Sequence, residues 1–261
     1  MRNISKKMFD YLEQFHKQRI FSLDYAEKVV GSRHHAQVLI NRYCNAGLLK
    51  HIRRNLYAVV NLGTKSIDVN RFQIGSQITP TAYIAYHSAF EYHGLGHQVF
   101  YDTYVASESR FSEFTFDGST YLFASSPVGA GVVTPPMDPL VRVTDLPRTI
   151  VDCIDRIDKC GGTEELLQCL NAAPHFDGES VIPYLAAYSK RVLYKKTGFV
   201  LSLFKEKIRH FDSLLSVCQE KGNGGVDVLS SEVNNVYHKE WGLYAPQNMN
   251  SFIEQGANGS V

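Results

Sequence analysis

The chain has 261 residues, 44% of them hydrophobic, with 27 Lys/Arg against 26 Asp/Glu, which fits one large globular domain or two ordinary ones. No run approaches the roughly 20 apolar residues of a membrane-spanning helix, and charge interrupts the apolar positions of the N-terminus, unlike a signal peptide, so the expected location is cytoplasmic. The five cysteines, Cys44, Cys153, Cys160, Cys169 and Cys218, are odd in number and form no CxxC pair, which argues against a disulfide framework or structural zinc.

The net charge of +1 hides an asymmetry. Residues 1–60 hold 11 Lys/Arg against 4 Asp/Glu, leaving 16 against 22 for the remainder. Such a split implies a basic module that meets a polyanion, joined to a neutral or acidic module with another task.

In chain order, Met8, Phe9, Leu12 and Phe15 recur at helical spacing and predict an amphipathic helix over 5–17. Ser22 is placed to cap a second helix with Leu23, Ala26 and Val30 on its inner face, and Gly31 to end it. Ser32 opens a third, whose Ala36, Leu39, Ile40 and Tyr43 follow the i, i+3, i+4, i+7 pattern before Asn45-Ala46-Gly47 stops it. A hairpin follows, with strands over 48–52 and 56–60 and Asn55 as the residue best suited to a left-handed turn. Helix, helix, helix, hairpin is the order of a winged helix-turn-helix.

The third helix turns Arg33, His34, Gln37, Asn41 and Arg42 away from its apolar side, and the hairpin adds Lys50, Arg53 and Arg54. Arg pairs with guanine and Gln or Asn with adenine in a major groove, so Arg33 and Gln37 are the candidates for base edges. Arg42, Lys50, Arg53 and Arg54 suit phosphates or the minor groove beside the wing.

A domain boundary is expected near Pro80, after a connection ending in a short helix over 71–78. Beyond it, "TAYIAYHSAFEYHG" predicts a helix capped by Thr81, "DTYVAS" a strand, and "FSEFTFDGSTYLFAS" a hairpin turned at Asp117-Gly118. "VTDLPRTIVDCIDRIDKCGG" predicts a helix capped by Thr144, with Pro147 in its first turn and Ile150, Ile154 and Ile157 inside. Further helices are expected in "TEELLQCLNAA", "SVIPYLAAYSK" and "GFVLSLFKEKIRHFDSLLSVCQE", giving an α+β second domain over 81–253, and residues 254–261 lack the apolar content to fold.

His87, Glu91, His93 and His97 invite a metal, but their spacing is not HExxH and a half-buried histidine helix is the simpler account. Asp138, Asp145, Asp152, Asp155 and Asp158 cluster in sequence, with 145, 152 and 155 expected at first-turn or exposed helix positions. No nucleophile elbow, P-loop or glycine-rich fingerprint is present, so no catalytic residue, metal or cofactor is expected.

Taken together, "HIRRNLYAVV", "AYIAYHSAFEYHGL", "TYVAS" and "VTDLPRTIVDCIDR" with "CGG" after it resemble the AbiEi family of antitoxins from type IV toxin-antitoxin systems, over roughly residues 5–200. The resemblance implies an N-terminal winged helix that represses its own operon at inverted repeats. It also implies a C-terminal domain that counters an AbiEii-like nucleotidyltransferase toxin without a stable complex, and it carries no catalytic residue across. One departure is Asn55, which stands where the wing of that family often has glycine in Arg-x-Gly-x-Tyr. The alternative from another class is a nuclease, or other nucleic-acid enzyme, delivered by the same helix and hairpin.

Overall fold

The computed structural model describes residues 6–126, 128–231 and 234–258 and has a mixed α+β fold. Ser5, the expected start of the first helix, lies outside the described residues. The basic module contains α1 (Lys6–Gln18), β1 (Ile20–Ser22), α2 (Leu23–Val30), α3 (Arg33–Asn45), β2 (Leu49–Arg53) and β3 (Leu56–Val59). Strand β1 is too short to show an alternation in sequence. It pairs antiparallel with β3, giving a three-stranded sheet in the order β1-β3-β2.

Local chemistry explains these boundaries. The Ser22 hydroxyl accepts the Tyr25 N–H at 3.2 Å and starts α2, and Gly31 ends it with φ 85°, a conformation glycine adopts without penalty. Phe15 and Phe21 stack at 4.4 Å in the small core, where Leu12, Ala26, Ala36, Leu39, Ile40 and Tyr43 meet Leu49 and Val59. Phe9, counted above with the apolar stripe, is 62% exposed.

The segment before Pro80 packs onto the sheet that follows it. Helix α4 (Arg71–Ser76), opened by an Asn70–Gln73 capping box, lies against the sheet that follows. A Cβ on Gly75 would sit 2.7 Å from Ile84 Cδ1 and 3.0 Å from Val105 Cγ2, so only glycine admits so close an approach. That sheet comprises β4 (Tyr83–Ile84), β5 (Asp102–Ala106), β6 (Phe114–Phe116), β7 (Ser119–Ala124), β8 (Val132–Val133) and β9 (Val143–Thr144), in the order β6-β7-β5-β4-β9-β8. Strands β5 and β7 run parallel, as do β4 and β9.

The helix expected from Thr81 is corrected by this arrangement. Residues 83–84 form the strand hydrogen-bonded to both β5 and β9, and α5 (His87–Tyr92) begins only after Tyr86, whose φ is 56°. An apolar run such as "AYIAY" fits a buried central strand as well as a helix, and periodicity does not separate them. Alternation along the sheet sends Ile84, Val105 and Tyr121 to one face and Tyr83, Ala106 and Ala124 to the other.

The first of these faces also holds Ile20, Ile52, Leu56 and Ala58 from the basic module, so one apolar cluster joins the two bodies. The second face is covered by α5, α6 (Leu146–Asp155), α7 (Thr163–Ala172) and the elements after them: β10 (Phe176–Asp177), α8 (Ile182–Tyr188), α9 (Arg191–Ser202), β11 (Ile208–Arg209) and α10 (Phe211–Gly222). The stretch over 198–220, where helix was expected, is divided, with β11 pairing parallel to β10 between α9 and α10. A last sheet of β12 (Asp227–Val228), β13 (Asn235–His238) and β14 (Leu243–Pro246) precedes α11 (Met249–Asn258). Helix α11 carries the backbone through 254–258, expected to be structureless, and residues 259–261 lie outside the described residues.

Helix α6 is capped by Asp145, not Thr144: its carboxylate accepts the Arg148 N–H at 2.9 Å, while Thr144 belongs to β9. Asp152, expected on an exposed face, is wholly buried. It accepts from Arg148 Nε at 2.5 Å and from the Tyr188 hydroxyl at 2.6 Å. Asp138, Asp155 and Asp158 each have a separate partner, Gln73, Lys190 and Arg156 respectively.

Candidate nucleic-acid interface

The basic face is built by α3 and the hairpin. Ser32 accepts the His35 N–H at the start of α3, and burial of Ala36, Leu39, Ile40 and Tyr43 leaves His34, Gln37, Asn41 and Arg42 exposed. Gln37 on this helix and His51, Arg54, Asn55 and Tyr57 on the hairpin line one cleft of about 540 Å³, together with Leu23 and Arg33. The structure thus brings together Arg33, Gln37 and Arg54 from the expected set.

Arg33 is held on the rim. Its Nη1 lies 2.7 Å from Asp24 Oδ1 and 2.8 Å from Glu27 Oε2, both on α2, and those hydrogen bonds keep the guanidinium pKa above its ordinary value. The same contact, followed by the Asn55 amide, holds the Asp24 carboxyl below its usual range. A side chain so engaged positions α2 against α3, and it reaches a base edge only by leaving two carboxylates.

Asn55, with φ 68°, accepts the Leu23 N–H through Oδ1 at 3.0 Å and reaches Asp24 through Nδ2 at 3.4 Å. Asn55 therefore supplies the turn conformation and also ties the hairpin tip to the start of α2.

Lys50 and Arg53 point elsewhere. Lys50 faces the second body by ordinary alternation, and the register shift between His51 and Arg53 turns Arg53 the same way. Lys50 Nζ lies 4.9 Å from the Phe116 ring centre and 3.4 Å from Asp117 Oδ1, while Arg53 sits over Phe111 and Phe114 at 5.4 and 4.8 Å. Burial lowers the Arg53 pKa. These two residues, grouped by sequence with the phosphate contacts, connect the hairpin to β6 and the residues beside it. His51 takes a place on the cleft instead, its ring 5.2 Å from that of Tyr57. Strict alternation through β2 would have put His51 and Arg53 on one face, so only the break in register separates them.

No protein-family model matches the chain, and no curated protein matches it. Among solved structures it is similar to the crystal structure of RV2827C protein from Mycobacterium tuberculosis, with a TM-score of 0.64 and 11% identity over 99% of this chain and 97% of that one. A likeness at that identity concerns the fold and extends through both bodies.

Proposed function

We propose that the chain is a DNA-binding transcriptional autorepressor and the antitoxin of a type IV toxin-antitoxin system. On this proposal α1, α2, α3 and the β1-β3-β2 sheet act as a winged helix-turn-helix, with α3 in the major groove and the hairpin as the wing. The observation that carries it is the shared cleft, where Gln37 from α3 meets His51 and Arg54 from the hairpin on the exposed basic side. Gln37 and Asn41 then face base edges, His34, Arg42 and Arg54 serve the backbone, and Lys50 and Arg53 fix the wing. The second body is assigned to countering an AbiEii-like nucleotidyltransferase without a stable complex, on the strength of the family resemblance in its sequence.

The test is a promoter-fragment titration at several salt concentrations. Lys/Arg contacts to phosphates release counterions, so affinity should fall steeply with salt, and Arg54→Ala should weaken binding to all sequences while flattening the salt slope by about one unit. An unchanged slope in that variant would remove the hairpin from the interface. Growth rescue beside a nucleotidyltransferase toxin encoded next to this chain tests the second assignment. Cleavage of the fragment in place of a shift would favour a nuclease.

A further inference from the structure

His87, Glu165 and Cys169 meet in the interior although 78 residues separate the first two. His87 Nε2 lies 2.8 Å from Glu165 Oε1, and the Cys169 thiol lies 3.4 Å from the same oxygen. Each residue offers one ligand atom, those atoms all lie within 4.8 Å of one another, and the three residues are buried. The geometry points to a binding site for one thiophilic divalent cation, of the Zn²⁺ class, held by His87, Glu165 and Cys169.

Three further observations support this. Glu165 Oε2, His87 Nδ1 and Glu91 Oε2 are buried without a hydrogen-bond partner, and leaving such atoms unpaired is costly in an interior. Glu91 Oε2 faces His87 Nδ1 at 3.6 Å, on the side of the ring opposite Glu165. That is the arrangement in which a carboxylate orients a metal-bound imidazole through its second nitrogen. Glu91 is itself fixed by Arg71 Nη2 at 2.7 Å. Finally, His97, with its side chain 49% exposed, places Nδ1 3.6 Å from Glu165 Oε2 and marks the solvent side of the three-ligand group, where water completes a four-coordinate shell. His93 takes no part, since its Nε2 lies 2.8 Å from the Thr144 carbonyl oxygen.

The donor set decides the class of cation. A thiolate, an imidazole and a single carboxylate suit Zn²⁺ or Co²⁺, whereas Mg²⁺ and Ca²⁺ require a shell of oxygens. This inference is independent of DNA binding, because the cluster lies between α5 and α7 and away from α3.

The experiment strips the full-length chain with a chelator and titrates it with Co²⁺, then with Zn²⁺. One equivalent of Co²⁺ should produce the visible bands of a four-coordinate site and a near-ultraviolet thiolate-to-cobalt band, both abolished by one equivalent of Zn²⁺. Cys169→Ser should lose the near-ultraviolet band, and Glu91→Gln should keep the bands with affinity lowered about 10- to 100-fold. Where Cys169→Ser does not fold, the thiolate band of the unmodified chain together with the Glu91→Gln shift carries the result. Absence of stoichiometric Co²⁺ uptake, or a thiolate band that persists in folded Cys169→Ser, would overturn the assignment.

Discussion

The two bodies treat charge in opposite ways. In the basic module, His34, Gln37, Asn41 and Arg54 stand exposed, and even the paired Arg33 keeps its side chain 53% open to solvent. In the second body, Arg148 and Asp152 are fully buried, and Arg148 also donates to the Ala130 carbonyl at 2.7 Å and to Ser126 Oγ at 2.6 Å. Exposed pairs gain little stability because water and salt screen them, while buried pairs become indispensable once formed, since removing one partner strands the other. The contrast separates polar residues available to a ligand from those that specify a core.

The largest expected effect tests the buried side of that contrast. Arg148→Ala strands Asp152 and should cost about 3–5 kcal/mol in urea unfolding, a large share of the roughly 5–15 kcal/mol that holds a domain folded. A loss no greater than that of an exposed arginine would end the distinction. Next comes Asn55→Ala, which removes a bond to the Leu23 N–H and leaves a side chain at positive φ, for about 2 kcal/mol, whereas Asn55→Gly keeps the turn and should lose less. Equal losses in the two variants would show that backbone strain contributes nothing there.

A smaller effect is set by pH. Burial pushes the Asp227 pKa up, but hydrogen bonds from Lys195 and Arg191 outweigh it and hold the carboxyl below its ordinary 3.8. The stability it contributes is present above pH 3.8 and is lost as pH falls through the lower folded value. Acid titration of the unfolding free energy should therefore show a decline that is reduced in Asp227→Asn. An identical decline in both chains would remove this group from the acid response. The smallest effect is expected for Arg33→Ala, in which the thermal midpoint and the base preference of operator binding should both stay close to those of the unmodified chain. A relaxed preference at one base pair would instead mean that DNA draws Arg33 away from Asp24 and Glu27.

The basic module was legible because its signals are local. Ser22, Gly31 and Ser32 act within a few residues of themselves, Asn55 sets its own turn, and the apolar spacing of α3 corresponds to the face it buries. The second body was legible only where a turn or cap is local, as at Asp117-Gly118, which lies between β6 and β7 with φ of 51° and 80°. Strand β4 was missed because its identity depends on hydrogen bonds to β5 and β9, twenty and sixty residues away in order of magnitude, which no local pattern records.

The candidate site divides along the same line. Its exposed polar positions on α3 could be listed from helical spacing, because a helix fixes which side chains share a face. That Arg53 lies over Phe111 and Phe114 while His51 joins the cleft was decided by a break in register and by an apolar cluster shared with the second body. Likewise, the sequence determined that His87, Glu91, Glu165 and Cys169 sit on helices, but only tertiary packing placed α7 against α5 and brought their side chains together. Helix spacing orders residues three or four apart, whereas contact across about 80 positions is set by which apolar faces the whole chain buries against one another.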